Sequence, residues 1–323
     1  MKYSSLGNTG IKVSILGFGT LTMGPFQENL SYSEGAELIR IALLRGINLL
    51  DTAEAYKTYP YIKDALSGGF PRYLERIGKP APVIISRSYA FTEKDMEESL
   101  KKALEEMELE TIDMFLLHQQ ESELTLLGHK PALKYLCRAK EEGLVKAVGI
   151  STHHIAAVKA ASLMKEIDVI FAIINKDGIG IQDGATDDMF SALQTASGLG
   201  KGILIMKALG GGHLYRNAEE SLKFAFSLPF AHSVMVGMKN LDELEMNINI
   251  AESKKVDEEI KDRLSSRKKR LNIEACRTCE TCVRECKYGA LSNADGKIVV
   301  DMEKCILCSY CAMKCPDFCI SVL

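Results

Sequence analysis

The chain has no excess of charge of either sign: 40 Lys and Arg stand against 43 Asp and Glu, a formal net charge of -3. That balance gives no general field to draw the protein to nucleic acid or to an anionic membrane surface. The one local exception, Arg267, Lys268, Lys269, Arg270, reads as a solvated helix face or linker. No apolar run approaches the ~20 residues that a bilayer-crossing helix needs. The opening MKYSSLGNTG lacks the apolar core of an export signal. A cytoplasmic protein with neither nucleic-acid nor membrane partners is expected. Also missing is a glycine-rich turn leading from a first strand into a helix, which a doubly wound dinucleotide-binding sheet requires. Gly198-Leu-Gly-Lys-Gly202 enters an apolar run instead of leaving one, so it reads as a loop between helix and strand.

What is present is the ordinary balance of a globular protein, 46% hydrophobic and 26% charged. The length of 323 residues exceeds one typical compact domain, so a large domain with a small appendage is expected. From Ile11 to Asp262 short β-type runs alternate with longer helical patterns, the rhythm of βα units around a parallel sheet. The apolar runs are Ser14 to Gly17, Ile47 to Leu50, Val83 to Ile85, Met114 to Leu117, Ala147 to Ile150, Val169 to Ile174, Ile203 to Met206 and Val234 to Val236, eight in all. Between them Glu34 to Arg45, Glu93 to Met107, Pro131 to Glu142 and Ile155 to Lys165 repeat apolar residues every three or four positions. Eight such units close into an α/β fold, the (β/α)₈ TIM barrel, for which about 250 residues is usual. Tyr3 to Val13, with Gly7-Asn8 between β-prone runs, reads as a hairpin ahead of it. Residues 1–262 are assigned to the barrel and 263–323 to a linker and second domain, the charged stretch Val256 to Asn272 leading out.

The composition then changes. Nine of the ten cysteines lie between Cys276 and Cys319, leaving few residues to build an apolar core, so this segment needs staples. Without an export signal, the tight spacing argues for metal ligands and against disulfides. The runs Cys276, Cys279, Cys282, Cys286 and Cys305, Cys308, Cys311, Cys315 are both CxxCxxCxxxC. Three cysteines at intervals of three turn their thiolates toward one cubic cluster, while the fourth is carried by the following helix to the other cluster. One [4Fe–4S] cluster is then assigned to Cys276, Cys279, Cys282 and Cys315, and the other to Cys305, Cys308, Cys311 and Cys286. Zinc is the competing reading, but zinc sites pair two CxxC knuckles and leave no use for a third cysteine in each run. Over about 50 residues the segment resembles the two-cluster bacterial ferredoxins, with Lys287 in place of their first proline and Pro316 retained. The resemblance implies a small α+β ferredoxin-like iron–sulfur domain. Cys137 and Cys319, outside both runs, read as small buried hydrophobes.

In a barrel of this kind the chemistry gathers at the C-terminal ends of the strands. The polar residues ending the apolar runs are Asp51, Arg87, His118, Ser151, Asn175, Lys207 and Lys239. Any one of them could be a cap or loop contact. As a set of complementary charges at one rim they form a concentrated candidate site.

Across nearly all of the first 260 residues the chain resembles the aldo/keto reductase family. The residues that carry the resemblance are Asp51-Thr-Ala-Glu-Ala-Tyr56, Glu98-Ser-Leu, Ile112-Asp-Met-Phe-Leu-Leu-His118, Met206-Lys-Ala-Leu-Gly-Gly-Gly212, and Val236-Gly-Met-Lys239 with Asn247 beyond. The resemblance implies that Tyr56 is the general acid for a carbonyl oxygen, that His118 orients the carbonyl, and that Asp51 anchors a cation beside Tyr56. Arg87 stands where the family has lysine, with a planar fork in place of a compact ammonium. A phenol with a pKa near 10 needs such a cation to release its proton. Lys207 stands where the family has an aromatic ring against a nicotinamide. Ser151, Asn175, Lys207, Gly210, Gly211, Gly237, Lys239 and Asn247 are the implied cofactor contacts, Lys239 meeting a 2′-phosphate, so NADP(H) is expected over NAD(H). The implied function is reduction of a small aldehyde or ketone, the clusters exchanging electrons with an external carrier. Hydride moves two electrons and a cubane one, so coupling them calls for a converter such as flavin. The alternative is an electron-transfer or redox-sensing protein on a barrel with altered or lost reductase chemistry.

Overall fold

The computed structural model describes residues 1–323. A hairpin of β1 (Tyr3–Ser5) and β2 (Lys12–Ser14) comes first. Then follow β3 (Leu16–Gly19), β4 (Leu49–Asp51), β5 (Val83–Ser88), β6 (Ile112–Leu117), β7 (Val145–Thr152), β8 (Val169–Ile173), β9 (Gly202–Met206) and β10 (Ser233–Gly237). They pair in parallel and in sequence order, and β10 closes the barrel by pairing with both β9 and β3. All eight expected runs are barrel strands.

Helices cover the outside. Tyr32–Leu44 starts at Ser31, which forms a reciprocal capping box with Glu34. Glu93–Met107 starts at Thr92, whose hydroxyl accepts from the Asp95 N–H. Each such helix buries an apolar stripe on the strands, within a continuous core of 72 buried residues that also takes in Ile298, Phe318 and others of the cysteine-rich segment. A separate core of 13 residues fills the barrel itself. Leu6, Ile11 and Val13 of the hairpin belong to it, so the hairpin plugs the bottom of the barrel and leaves the opposite end for chemistry.

The alternation of a strand decides what reaches that end. Leu49 faces the interior, as do Val83 and Ile85, Met114 and Leu116, and Ala147. Side chains two residues apart share a face, so Asp51, Arg87, His118 and Ser151 continue those rows to the top.

The helix Glu258–Ser265 crosses the expected boundary at 262 and is tied to the barrel through Arg263 to Asp242 (2.8 Å) and Lys261 to Glu219 (3.0 Å). It therefore goes with the barrel. The basic run after it is ion-paired, Arg267 with Asp242 and Arg270 with Glu28. The cysteine-rich segment contains β11 (Leu271–Ile273), a hairpin of β12 (Leu291–Ala294) and β13 (Lys297–Val300), and β14 (Ile320–Val322), which pairs antiparallel with β11. Two short helices, Thr281–Glu285 and Tyr310–Lys314, carry the middle of each cysteine run.

This segment sits over the barrel mouth. Val322 N–H donates to the Gly211 carbonyl at 2.9 Å. The two ring nitrogens of His213 meet Ser309 Oγ (2.8 Å) and the Ile320 carbonyl (2.9 Å). Arg216 reaches the Leu307 carbonyl at 3.2 Å.

Candidate active site

Arg87 organises the barrel mouth. It is 2% exposed. Nη1 pairs with Asp51, Nη2 donates to the Tyr56 hydroxyl at 2.6 Å, and Nε donates to His118 Nε2 at 3.3 Å. Its guanidinium lies 5.0 Å from the ring centres of both Tyr56 and Phe171, a placement that suits a flat, delocalised cation. Tyr56 ends a 3-10 turn, Glu54–Tyr56, whose Glu54 carboxylate accepts from Ser88 Oγ (2.7 Å) and Ser99 Oγ (2.8 Å). Those bonds fasten the turn to β5 and to the helix Glu93–Met107.

The electrostatics follow from burial. Burial opposes the charge on Arg87, but Asp51 and Tyr56 more than restore it and hold the guanidinium firmly protonated. Burial pushes the Asp51 carboxyl up, against the pull of Arg87. Tyr56 is also pushed up by burial, with Arg87 opposing. The net lowering expected for this phenol is thus not found: Tyr56 keeps its proton at rest, and Arg87 is placed to stabilise the phenolate once the proton leaves. Burial, then Arg87, His153 and Lys207, hold His118 well below the usual imidazole range. It is neutral at pH 7. Because Arg87 donates to Nε2, the His118 proton sits on Nδ1, and Nδ1 is buried with no partner. Tyr89 stacks on the imidazole at 4.1 Å.

Asp51, Tyr56, Arg87, His118, Ser151, Lys207, Gly211, Gly237, Lys239 and Asn247 all line one cavity of about 1630 Å³. Asn175 and Gly210 do not. Asn175 is fully buried, and its amide is spent on the Ile179 and Lys207 carbonyls and the Ile179 N–H. Ser151 Oγ accepts from the Gln119 N–H at 3.0 Å. Lys239, expected at a phosphate, pairs with Glu28 at 2.7 Å. Gly211, an expected cofactor contact, and Gly212 beside it face the cysteine-rich segment, and a Cβ on Gly212 would lie 2.0 Å from the Val322 carbonyl oxygen.

That segment also contributes residues that the sequence did not reveal as part of the mouth. Phe318 and Cys319 line the same cavity. Lys207, with a left-handed φ of 56°, stands over the Phe318 ring at 4.2 Å. Burial, then Arg87, lowers it to about 7. Glu274 lies on the same wall and is pushed up by burial. Nothing in the local pattern of these residues signals where the segment docks.

The two cysteine runs fold as copies of each other. Thr278 and Leu307 have φ of 58° and 53°, Glu280 and Ser309 have 59° and 68°, and Gly289 and Phe318 have 58° and 48°. These positions fall at equal offsets from their cysteines. Left-handed residues at alternate positions turn backbone N–H groups inward, a cradle for negative charge. Thr278 N–H points at Cys276 Sγ (3.3 Å) and Ala290 N–H at Cys286 Sγ (3.4 Å). Cys286, Cys305, Cys308 and Cys311 line one cavity of about 230 Å³. In the other group, burial and then the thiolates of Cys315, Cys276 and Cys279 push the Cys282 thiol up. The observed cavity thus includes Cys286 of the other run. No three of these side chains converge closely enough to hold a single metal ion. Cys319, expected to be buried, is half-buried, with its Sγ 3.4 Å from Cys315 Sγ.

The comparisons with known proteins agree with this architecture. The model of the aldo/keto reductase family matches residues 15–221, and that of a 4Fe-4S binding domain matches residues 298–321, the span of the second cysteine run. L-galactose dehydrogenase of Arabidopsis thaliana is 24% identical over 292 residues, covering 76% of this chain and 86% of its own. D-threo-aldose 1-dehydrogenase of a Pseudomonas species is 26% identical over 220 residues, covering 59% of this chain and 65% of its own. A solved structure from Pseudomonas aeruginosa, described as an aldo-keto reductase, is 27% identical with a TM-score of 0.63, covering 78% of this chain and 94% of that one. An aldo-keto reductase from Bacillus halodurans shares the fold at 19% identity and a TM-score of 0.63, covering 82% and 95%. The chain belongs to the aldo/keto reductase family of oxidoreductases and carries a 4Fe-4S binding domain at its C-terminal end.

Proposed function

We propose that the protein reduces a small aldehyde or ketone at the barrel mouth with NADP(H), and that its C-terminal segment holds two [4Fe–4S] clusters that exchange electrons with an external carrier. The observation that carries this reading is the chain Asp51, Arg87, Tyr56 with His118 beside it, opening into a cavity that Phe318 and Cys319 of the cysteine-rich segment also line. The cavity of about 1630 Å³ has room for a dinucleotide and a small substrate. The eight cysteines, grouped four and four around two cradles of inward N–H groups, fit two cubanes.

When bound, NADP(H) supplies hydride and the clusters supply one-electron transfer. The chain's own residues do the rest. His118, whose ring lies 6.0 Å from that of Tyr56 and is stacked on by Tyr89, orients the carbonyl. Tyr56 gives that oxygen its proton, and Arg87 stabilises the phenolate left behind. Asp51 fixes Arg87 in place.

A second reading is favoured by the loop after β9. Lys207 replaces the aromatic ring, Asn175 is spent on the loop, and β14 covers Gly211 and Gly212. On that reading the barrel no longer runs nicotinamide chemistry, and a flavin or no organic cofactor occupies the mouth. One set of measurements decides. Anaerobic protein should bind NADPH and reduce some member of an aldehyde and ketone panel, with Tyr56→Phe lowering kcat by about 10²–10⁴-fold and leaving NADPH affinity unchanged. Absence of NADPH binding together with a yellow acid extract would give the site to flavin.

A further inference from the structure

The cysteine-rich segment has two unlike sides. Phe318 and Cys319 line the barrel cavity, whereas Cys286, Cys305, Cys308 and Cys311 line a separate, smaller cavity, and Cys308 is exposed. The residues lining that smaller cavity include Tyr288, Ile306 and Tyr310, which are 50%, 51% and 37% exposed. Met313, at 57% exposure, lies on the same short helix as Tyr310. Exposed apolar side chains gathered around one opening mark a contact surface more often than isolated ones do.

The charge at this rim has a sign. The ammonium groups of Lys287 and Lys314 both lie over the Tyr310 ring, 5.7 and 5.6 Å from its centre. Neither is ion-paired, although Arg277 pairs with Asp317 and Lys304 with Asp301 in the same segment. Glu285 is the one carboxylate lining the cavity. A chain with a net charge of -3 thus presents two free cations around an aromatic centre where one cysteine quartet comes closest to solvent.

We infer that this rim, centred on Tyr310 and flanked by Lys287 and Lys314, is the docking surface for a small acidic electron-carrier protein. The inference rests on the proposal that the segment holds clusters. Such a partner matches the page in three ways. Its carboxylates complement the two lysines, its approach is at the exposed cysteine quartet, and a small apolar contact ringed by charge suits an encounter that must form and dissociate quickly. A second copy of this chain docked through the same face would bring the same two lysines.

The test uses the full-length, cluster-loaded protein and an acidic plant-type [2Fe–2S] ferredoxin as the probe. Calorimetric titration at low salt should show binding that weakens as salt is raised. The double charge reversal Lys287→Glu with Lys314→Glu should weaken it about tenfold or more, and Tyr310→Ala alone should weaken it as well. Lys94→Glu, on the far-off helix Glu93–Met107, should leave it unchanged. Iron is assayed on the same samples, so the two claims fail separately. Iron-free wild-type protein overturns the cluster reading, whereas iron-replete protein that ignores the ferredoxin, or binds it equally well after the reversal, overturns the docking surface. Self-association through the rim, abolished by the reversal, would also overturn it.

Discussion

Arg87 spends its nitrogens on four different groups, the Asp51 carboxylate, the Thr52 carbonyl, the Tyr56 hydroxyl and His118 Nε2. A lysine ammonium has three donors and no plane to lie between two rings, so it could not make this set of contacts. The pair it makes with Asp51 is buried on both sides. Arg87→Met therefore strands a buried carboxylate, and the loss should be about 3–5 kcal/mol, read as a lowered urea midpoint. The double variant Asp51→Asn with Arg87→Met should recover most of that loss, because the remaining cost comes from polar groups instead of an unpaired charge. If the double variant is as unstable as Arg87→Met, the buried pair is not what holds this end of the barrel. Most of the site was legible at this scale. Asp51, Arg87, His118 and Ser151 continue inward rows whose parity is set by Leu49, Ile85, Leu116 and Ala147, and strand alternation is written in the sequence. The direction of the Tyr56 shift was not, since it depends on how much water the folded mouth excludes.

At the scale of elements, the eight barrel strands and the hairpin are readable because each is a short apolar run set off by turns, and the helices between them repeat with their own period. β11 and β14 escaped notice. Each is three residues long, and they pair across about fifty residues of cysteine-bearing loop, where no periodicity connects one to the other. Yet β14 is one of the elements that join the two parts of the molecule, through Val322 to Gly211 and Gly212. Gly212 has φ of 87° and no room for a Cβ against the Val322 carbonyl, so both backbone and strand must move when one is added. Gly212→Ala should release the segment from the mouth. Limited proteolysis should then cut between positions 266 and 270, where the intact protein is protected by the mutual hydrogen bonds of Arg270 and Leu323. A proteolytic pattern identical to that of the parent protein would show that β14 does not carry the docking.

For the whole molecule, the proposed crossing of the cysteine runs bears on how the appendage holds together. Its apolar core is thin, so ligation has to supply much of the order. If each run served its own cluster, the two copies could part without loss. On the proposed two-cluster reading, with Cys286 among Cys305, Cys308 and Cys311 and Cys315 joined to Cys276, Cys279 and Cys282, neither cluster can form unless both runs are in place. That dependence gives a test by pairing variants. Cys279→Ala and Cys315→Ala are far apart in sequence, yet they should destroy the same cluster and leave the same surviving electron paramagnetic resonance spectrum after reduction. Cys286→Ala and Cys308→Ala should share the other. Each variant should keep about half the iron of the parent, roughly four atoms where two intact cubanes hold about eight. Should Cys315→Ala instead match Cys308→Ala, each run ligates its own metal, and the appendage is two independent loops and not one interlocked unit.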